Sequence, residues 1–367
     1  MLKNFIKKYI FTFYLIIFII FFITLNKIAK NFLNQTKLEK RGGSEFIEKV
    51  YGKENIKDYT KVLSEQSIIL SYKPFVEFTE TKRSDEFTSV SSSGNRCNQN
   101  KILECYAPNG GKKEIWVFGG STTFGYGVKN DETIPSFIEN KMKNNFKVIN
   151  FGVGHYYSTQ ERILFNNLLL ELPPPYAVIF IDGLNDFNRK YKHNESKYSE
   201  ITRHKSTKTS EDDIKEYFKE RFYRLNIVRL IKESRSKDIE TITKEKLNKQ
   251  NVIQLVKTLI NNQKMNESIS KKYDIKLINV LQPVPIYEDS YSTSNVPKDF
   301  LPSNQNSNDR LKFGYQTYNL NITNKILNLS KLKIEKPMFI DGVHYSPEFN
   351  EVIANLITKE LISKNGN

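Results

Sequence analysis

The chain holds four histidines in 367 residues, and one of them has a carboxylate three positions earlier, in Asp341-Gly342-Val343-His344. Far upstream, Ser121 stands in the glycine-flanked run Gly119-Gly120-Ser121-Thr122-Thr123-Phe124-Gly125. These residue types suit nucleophilic catalysis. A serine hydroxyl is a poor nucleophile until a base takes its proton, and the base works best when a carboxylate orients it. Small neighbours around Ser121 let a substrate come close. The tetrahedral intermediate of such a reaction needs hydrogen-bond donors aimed at its oxyanion. The Ser121 backbone N–H and the Asn185 amide, in Asp182-Gly183-Leu184-Asn185-Asp186, are candidates. A further glycine-rich turn, Gly152-Val153-Gly154-His155, follows another apolar run. His193 and His204 lie in a highly charged stretch, so Asp341 and His344 read as the carboxylate and base.

Each piece has a bland reading when taken singly: a tightly packed glycine turn, a surface Asp-x-x-His turn, a helix cap at Asn185-Asp186. Other chemistries fit less well. GGSTTFG lacks the Gly-Lys-Ser/Thr of a phosphate-binding loop, and GVGHYY lacks the third glycine of a dinucleotide fingerprint. Thr123 occupies the second glycine position of a G-x-S-x-G elbow. What gives the four pieces weight is that they follow apolar runs in a fixed order.

Those runs must position the candidates. EIWVFGG, KVINFGV, YAVIFIDG and KLINVLQPVP read as buried strands, and MFID reads as a fifth short one. Helical spacing fills the gaps: Thr133 to Met142, with Pro135 in the first turn; ERILFNNLLLEL, stopped by Pro173; residues 250–272; and Pro347 to Ser363. Strand and helix in alternation imply a parallel sheet with helices on both faces, an α/β sandwich. In such a sheet ligands sit beyond the C-terminal strand ends, where the four polar pieces fall. Two stretches break the rhythm: residues 189–250, highly charged with an amphipathic helix, and residues 288–308, polar and loop-like. The first reads equally as a lid or as a surface insertion.

Read together, VFGGSTTFGYGV, GLND and DGVH resemble sequence blocks of the SGNH (GDSL-like) hydrolases, and the resemblance runs from about Glu114 to the C-terminus. It implies a flavodoxin-like three-layer α/β/α domain with a central parallel sheet. It implies Ser121 as nucleophile, His344 supported by Asp341, and an oxyanion hole from Ser121, Asn185 and a glycine of the second block. There the chain departs. Aligned through Asn150, Gly152 and Gln160, the family's oxyanion glycine falls on His155, with Gly154 just before it. Three readings stay open: Gly154 takes the role, His155 donates its backbone N–H at a conformational cost, or the site is weakened. No cofactor is implied. The expected function is a serine esterase or deacylase acting on acyl esters, acetyl for instance, of a cell-envelope carbohydrate. An O-acyltransferase of polysaccharide modification and a non-catalytic glycan-binding or assembly protein on the same scaffold are the alternatives.

The first thirty residues add an anchor. Tyr9 to Leu25 carries no charge and is dense in Ile and Phe; seventeen residues span about 26 Å as a helix, near the lower end for a bilayer crossing. No small-residue cleavage pattern follows Leu25, so the stretch reads as an uncleaved membrane helix rather than a signal peptide. Lys3, Lys7 and Lys8 outweigh Lys27 and Lys30, which favours a cytoplasmic N-terminus and an extracytoplasmic domain. The expected organisation is an anchor at 1–30, a stalk and N-terminal extension at 31–110, and the hydrolase-like domain at 111–367. The net charge is +15, but the basic residues are spread along the chain and form no nucleic-acid module. Two cysteines, Cys97 and Cys105, read either as a small disulfide loop, if the chain lies outside the cytoplasm, or as two unpaired thiols. With only four histidines beside them, they argue against a structural zinc site.

Overall fold

The computed structural model describes residues 2–39, 43–99, 107–142, 145–189, 222, 225–236, 247–285, 305–322, 325–332 and 337–363. The chain forms two compact units, Met1–Glu39 with Thr207–Lys244, and Lys40–Ser206 with Glu245–Asn367. In the first, α1 (Leu2–Glu39) is one continuous helix. Its stretch Tyr9–Thr36, within which an eighteen-residue window has a mean hydropathy of 2.3, is the one helix among the described residues long and apolar enough to cross a membrane. The helix Asn226–Ser236 packs on α1, with the Ile227 N–H donating to Asn26 Oδ1 at 3.4 Å.

The second unit opens with α2 (Gly43–Tyr51), α3 (Ile56–Glu65), and the antiparallel pairs β1 (Leu70–Lys73) with β2 (Glu77–Glu80) and β3 (Arg83–Ser84) with β4 (Ser89–Val90). An alternating series follows: β5 (Glu114–Gly119), α4 (Ser121–Phe124), α5 (Ile134–Lys141), β6 (Lys147–Gly152), α6 (Ser158–Glu171), β7 (Ala177–Asp182) and α7 (Leu184–Asn188). Then come α8 (Lys249–Lys272), β8 (Lys276–Leu281), α9 (Gln305–Asn321), β9 (Leu327–Asn328) and α10 (Pro347–Ser363). The five strands β5 to β9 pair in parallel in the spatial order β6-β5-β7-β8-β9. Counted in chain order this is 2-1-3-4-5, the flavodoxin-like arrangement.

The reasons are local. β5 and β7 are buried along their whole length, as apolar runs covered on both faces must be. Helix α5 starts where Thr133 Oγ1 accepts from the Ser136 N–H at 3.2 Å, and α6 stops at Glu171, just short of Pro173. On one sheet face, register sets Phe151, Phe118 and Phe180 side by side across three strands. Their rings stack at 5.1 and 4.9 Å, and Phe165 of α6 meets Phe118 and Phe180 edge-on. This aromatic layer lies one residue below the glycines that end β5 and β6, so it fixes the level at which the catalytic candidates emerge.

Three elements differ from the expectation. The fifth strand is Leu327–Asn328, not MFID: Phe339 makes only a single bridge, to Tyr345. Helix α9 begins at Gln305, inside the stretch that reads as loop. Residues 43–99, which read as stalk and Ser/Asn-rich loop, are folded into the second unit, where Asn95, Arg96, Cys97 and Asn98 are all buried. Much of their polarity is satisfied internally; the Arg96 N–H donates to Asn150 O at the β6 edge, and Asn98 Nδ2 donates to Val148 O at 2.7 Å. Cys97 is disulfide-bonded, while Cys105, His193, His204 and most of the two insertions lie outside the described residues.

Arg96 is the clearest case of a buried charge held without a carboxylate. Its guanidinium donates to Phe124 O at 2.9 Å, Val128 O at 2.8 Å, Asn130 Oδ1 at 3.1 Å, and the carbonyls of Gly125 and Phe87. The carbonyls of Phe124 and Gly125 close the C-terminal end of α4, where a cation is favoured. Burial lowers its pKa to about 10, so the charge persists at neutral pH. Replacing it strands several buried acceptors, each costing about 1–3 kcal/mol. We expect Arg96→Met to lose about 3 kcal/mol or more, read from urea unfolding by the fluorescence of the single tryptophan, buried Trp116.

Candidate active site

Ser121 is the first residue of α4, directly after β5 and Gly120. Space there is tight. A Cβ on Gly120 would come within 2.4 Å of Asn185 Nδ2, and one on Gly152 within 2.2 Å of the Phe124 backbone nitrogen. The first glycine lets the Asn185 amide lie against the serine turn; the second lets β6 end against α4. Ser121 is 8% exposed.

His344 Nε2 lies 2.9 Å from Ser121 Oγ. Its other nitrogen, Nδ1, is 2.8 Å from Asp341 Oδ2 and 3.1 Å from Oδ1. Asp341 Oδ1 also accepts the backbone N–H groups of Val343 and His344, at 2.9 and 2.8 Å. The carboxylate thus shapes its own loop and orients the ring at once. The His344 and Asp341 side chains are 17% and 19% exposed, so the pair is reachable from solvent yet largely shielded. The loop itself is closed by Ile340 N to His344 O and Ser346 N to Met338 O. Sequence reasoning names none of what anchors it: Tyr345 donates to Pro283 O at 2.7 Å and accepts from Gln282 Nε2 at 3.0 Å, and Gln282 Nε2 also reaches Thr122 Oγ1 at 3.4 Å. The available signal is position, since Gln282 is the first polar residue beyond the end of β8.

The remaining candidates converge from β6 and β7. Asn185 Nδ2 donates to Tyr156 O at 2.7 Å, which fixes the amide orientation. Residues 153–156 form a β-turn closed by Tyr156 N to Val153 O at 3.1 Å. His155 sits in its third position with φ of 69°, the left-handed region that costs a non-glycine residue roughly 1 kcal/mol. Gly154 is not left-handed, and its N–H donates to Glu80 Oε1 at 3.1 Å. Glu80 belongs to β2 and carries no sequence signal of its own. Among the described residues no cluster of His, Cys, Asp or Glu has the arrangement to hold a metal ion.

Beneath Asn185 lie three buried carboxyls, Asp182, Asp186 and Glu161. Asp186 Oδ1 accepts from Ser158 Oγ at 2.6 Å and from its N–H at 3.3 Å, tying α7 to the start of α6. Burial pushes Glu161 well above the usual carboxyl range, with the negative neighbours Asp182 and Asp186 adding to it. Burial raises Asp182 as well, and the interaction between the two carboxyls favours the proton on Glu161.

Residues 115–357 match the family described as GDSL-like lipase/acylhydrolase. A search of the curated proteins finds no match. Among solved structures the chain is similar to an acetyl xylan esterase, at 14% identity and a TM-score of 0.37 over 67% of this chain and 98% of that one. It is similar to a carbohydrate acetylesterase from Sinorhizobium meliloti, at 12% identity and 0.37 over 69% and 99%. A GDSL-like lipase from Bacteroides thetaiotaomicron is another, at 14% identity and 0.33 over 69% and 89%.

The buried Glu161 proton makes stability pH-dependent. Its pKa is raised in the folded chain above the ordinary value of 4.5, so the contribution is full below that value and is lost as pH rises through the folded pKa. We expect the melting temperature of the wild type to fall from weakly acid to alkaline pH more steeply than that of Glu161→Gln. The gap should be a few °C, roughly what 1 kcal/mol gives, as checked by thermal unfolding across pH.

Proposed function

Because the chain belongs to the GDSL-like lipase/acylhydrolase family, and so is a serine hydrolase acting on esters, we propose that Ser121 is its nucleophile, His344 its general base and Asp341 the carboxylate that orients the base. The single observation carrying this is the continuous contact from Asp341 through His344 Nε2 to Ser121 Oγ at 2.9 Å. Asp341 on Nδ1 keeps the proton there, so Nε2 is the free acceptor. Ser121 Oγ attacks the ester carbonyl carbon while Nε2 takes the hydroxyl proton. The carbonyl oxygen becomes an oxyanion stabilised by the Ser121 N–H, the Asn185 amide and the His155 N–H, since the Gly154 N–H is directed to Glu80. Collapse expels the alcohol, which receives the proton from His344 and leaves an acyl-serine. Water, activated by the same histidine, then releases the acid.

The substrate we propose is an acyl ester, such as an acetyl ester, of a cell-envelope carbohydrate. The support is the apolar helix α1, which is long and apolar enough to cross a membrane; as an uncleaved anchor it would hold the domain where such carbohydrates lie. The basic residues before Tyr9 support a cytoplasmic N-terminus and an extracytoplasmic domain. If that orientation is right, protease added to intact cells removes the domain and leaves the N-terminal segment; full protection would reverse it.

On an aryl acetate, Ser121→Ala should lower kcat/KM at least about a thousandfold; equal, low rates in the two proteins would overturn the assignment. Mass spectrometry of an acylated glycan incubated with the protein then identifies the acceptor. Acyl loss marks hydrolysis, whereas acyl gain from an added donor marks transfer to a sugar hydroxyl.

A further inference from the structure

The family match begins at residue 115, yet a side chain from well before it reaches both sides of the site. Glu80, at the end of β2, has a fully buried side chain. Its Oε1 accepts from the Gly154 N–H at 3.1 Å and from the Tyr126 hydroxyl at 2.9 Å. Its Oε2 accepts from Arg83 Nη1 at 2.9 Å, and Arg83 is itself held by Thr81 O and lies over the Phe124 ring. The Tyr126 ring stands 6.0 Å from the His344 ring. One carboxylate therefore takes a bond from the wall beside the base and another from the turn that carries His155.

That turn needs holding. His155 adopts φ of 69°, which residues other than glycine seldom take. The peptide preceding it is fixed by the Glu80 bond to Gly154, and the residue after it by two more contacts. The Tyr156 hydroxyl donates to Phe78 O, also on β2, and Asn185 Nδ2 donates to Tyr156 O. Of these contacts only the one to Glu80 is charge-assisted, the strongest kind of hydrogen bond.

We propose that Glu80 is a positioning residue, which holds the 153–156 turn in the left-handed form that aims the His155 N–H at the oxyanion and ties that turn to the Tyr126 wall beside the base. The inference rests on the reading of Ser121 as nucleophile for its effect on rate, but the clamp itself does not. It assigns the N-terminal hairpin a part in the active site.

Two measurements on the full-length protein test it. Amide hydrogen exchange over residues 153–156 should quicken at least about tenfold in Glu80→Ala and Glu80→Gln. Unchanged exchange overturns the clamp whether or not the protein is an esterase. On an aryl acetate, Glu80→Gln should lower kcat about 10- to 100-fold, less than or equal to the loss of one oxyanion donor, with KM within about twofold of wild type. Adding His155→Gly to Glu80→Ala should recover at least about tenfold of the lost kcat, because glycine accepts the left-handed conformation unaided. A loss confined to KM, or no recovery, overturns the positioning role. Should Glu80→Ala fail to fold, the shape-conserving Glu80→Gln still decides on exchange and on kcat. Absence of any Ser121-dependent turnover in the wild type strikes instead at the assignment of the nucleophile, and the exchange result then judges the clamp by itself.

Discussion

The hydrogen bond between Ser121 and His344 joins positions 223 residues apart in the chain, and much of the second unit can be understood as what makes that contact reproducible. A serine–histidine pair works only if the two groups meet within a few tenths of an ångström. Parallel strands in register deliver this. Gly119 pairs with Gly152 and with Ile181, so the turns after β5, β6 and β7 leave the sheet at one level. The stacked Phe151, Phe118 and Phe180 beneath them make that level hard to shift, since close-packed interiors resist small displacements. His344 arrives from outside the sheet, and its loop is fixed sideways through Tyr345 and Gln282 to Thr122, the residue after the serine.

Buried polar groups serve the same end from the other side. Arg96 closes the exit of α4 with bonds to carbonyl oxygens, Glu80 closes the exit of β6 with bonds from N–H and O–H donors, and both come from residues 43–99. Buried charges are expensive unless every lone pair or proton finds a partner. Here the partners include backbone groups that the glycine-rich turns leave uncommitted to helix or strand. The loose local structure of those turns and the buried charges that grip them are two halves of one arrangement. The N-terminal segment is accordingly part of the folded unit rather than a spacer before it.

What could be read from the chain follows from the range of the interactions involved. β5, β6, β7 and β8 are legible because each is an apolar run bounded by glycine or proline, a signal contained within eight residues. Asp341 and His344 are legible because carboxylate and ring sit three apart. Glu80 is not, because its partners Tyr126 and Gly154 lie 46 and 74 positions away, and a lone glutamate in a short strand looks like any solvated one. The Ser/Asn-rich stretch before Gln99 reads as loop since its composition is polar. Its end, Asn95 to Asn98, is buried, because Ser91 and Ser93 satisfy Asn95 and because Asn98 and Arg96 satisfy β6 and α4. β9 is two residues long and its apolar content is a single leucine, Leu327, too little for periodicity to detect.

The same distinction explains why histidine is tolerated at position 155 while Gly120 and Gly152 are not negotiable. At Gly152 a side chain would strike the backbone of α4 at 2.2 Å; relief would require moving the helix that carries Ser121. At Gly120 the obstacle is the Asn185 amide at 2.4 Å, and displacing it would remove a proposed oxyanion donor. At position 155 the demand is for a dihedral angle, not for space. Dihedral strain of roughly 1 kcal/mol is within reach of one well-placed hydrogen bond. A fold can therefore exchange glycine for histidine at such a point if a neighbouring group holds the turn, and Glu80 is placed to do so. The departure from glycine at 155 and the buried carboxylate at 80 are, on this argument, a compensated pair, and neither is expected to be neutral without the other.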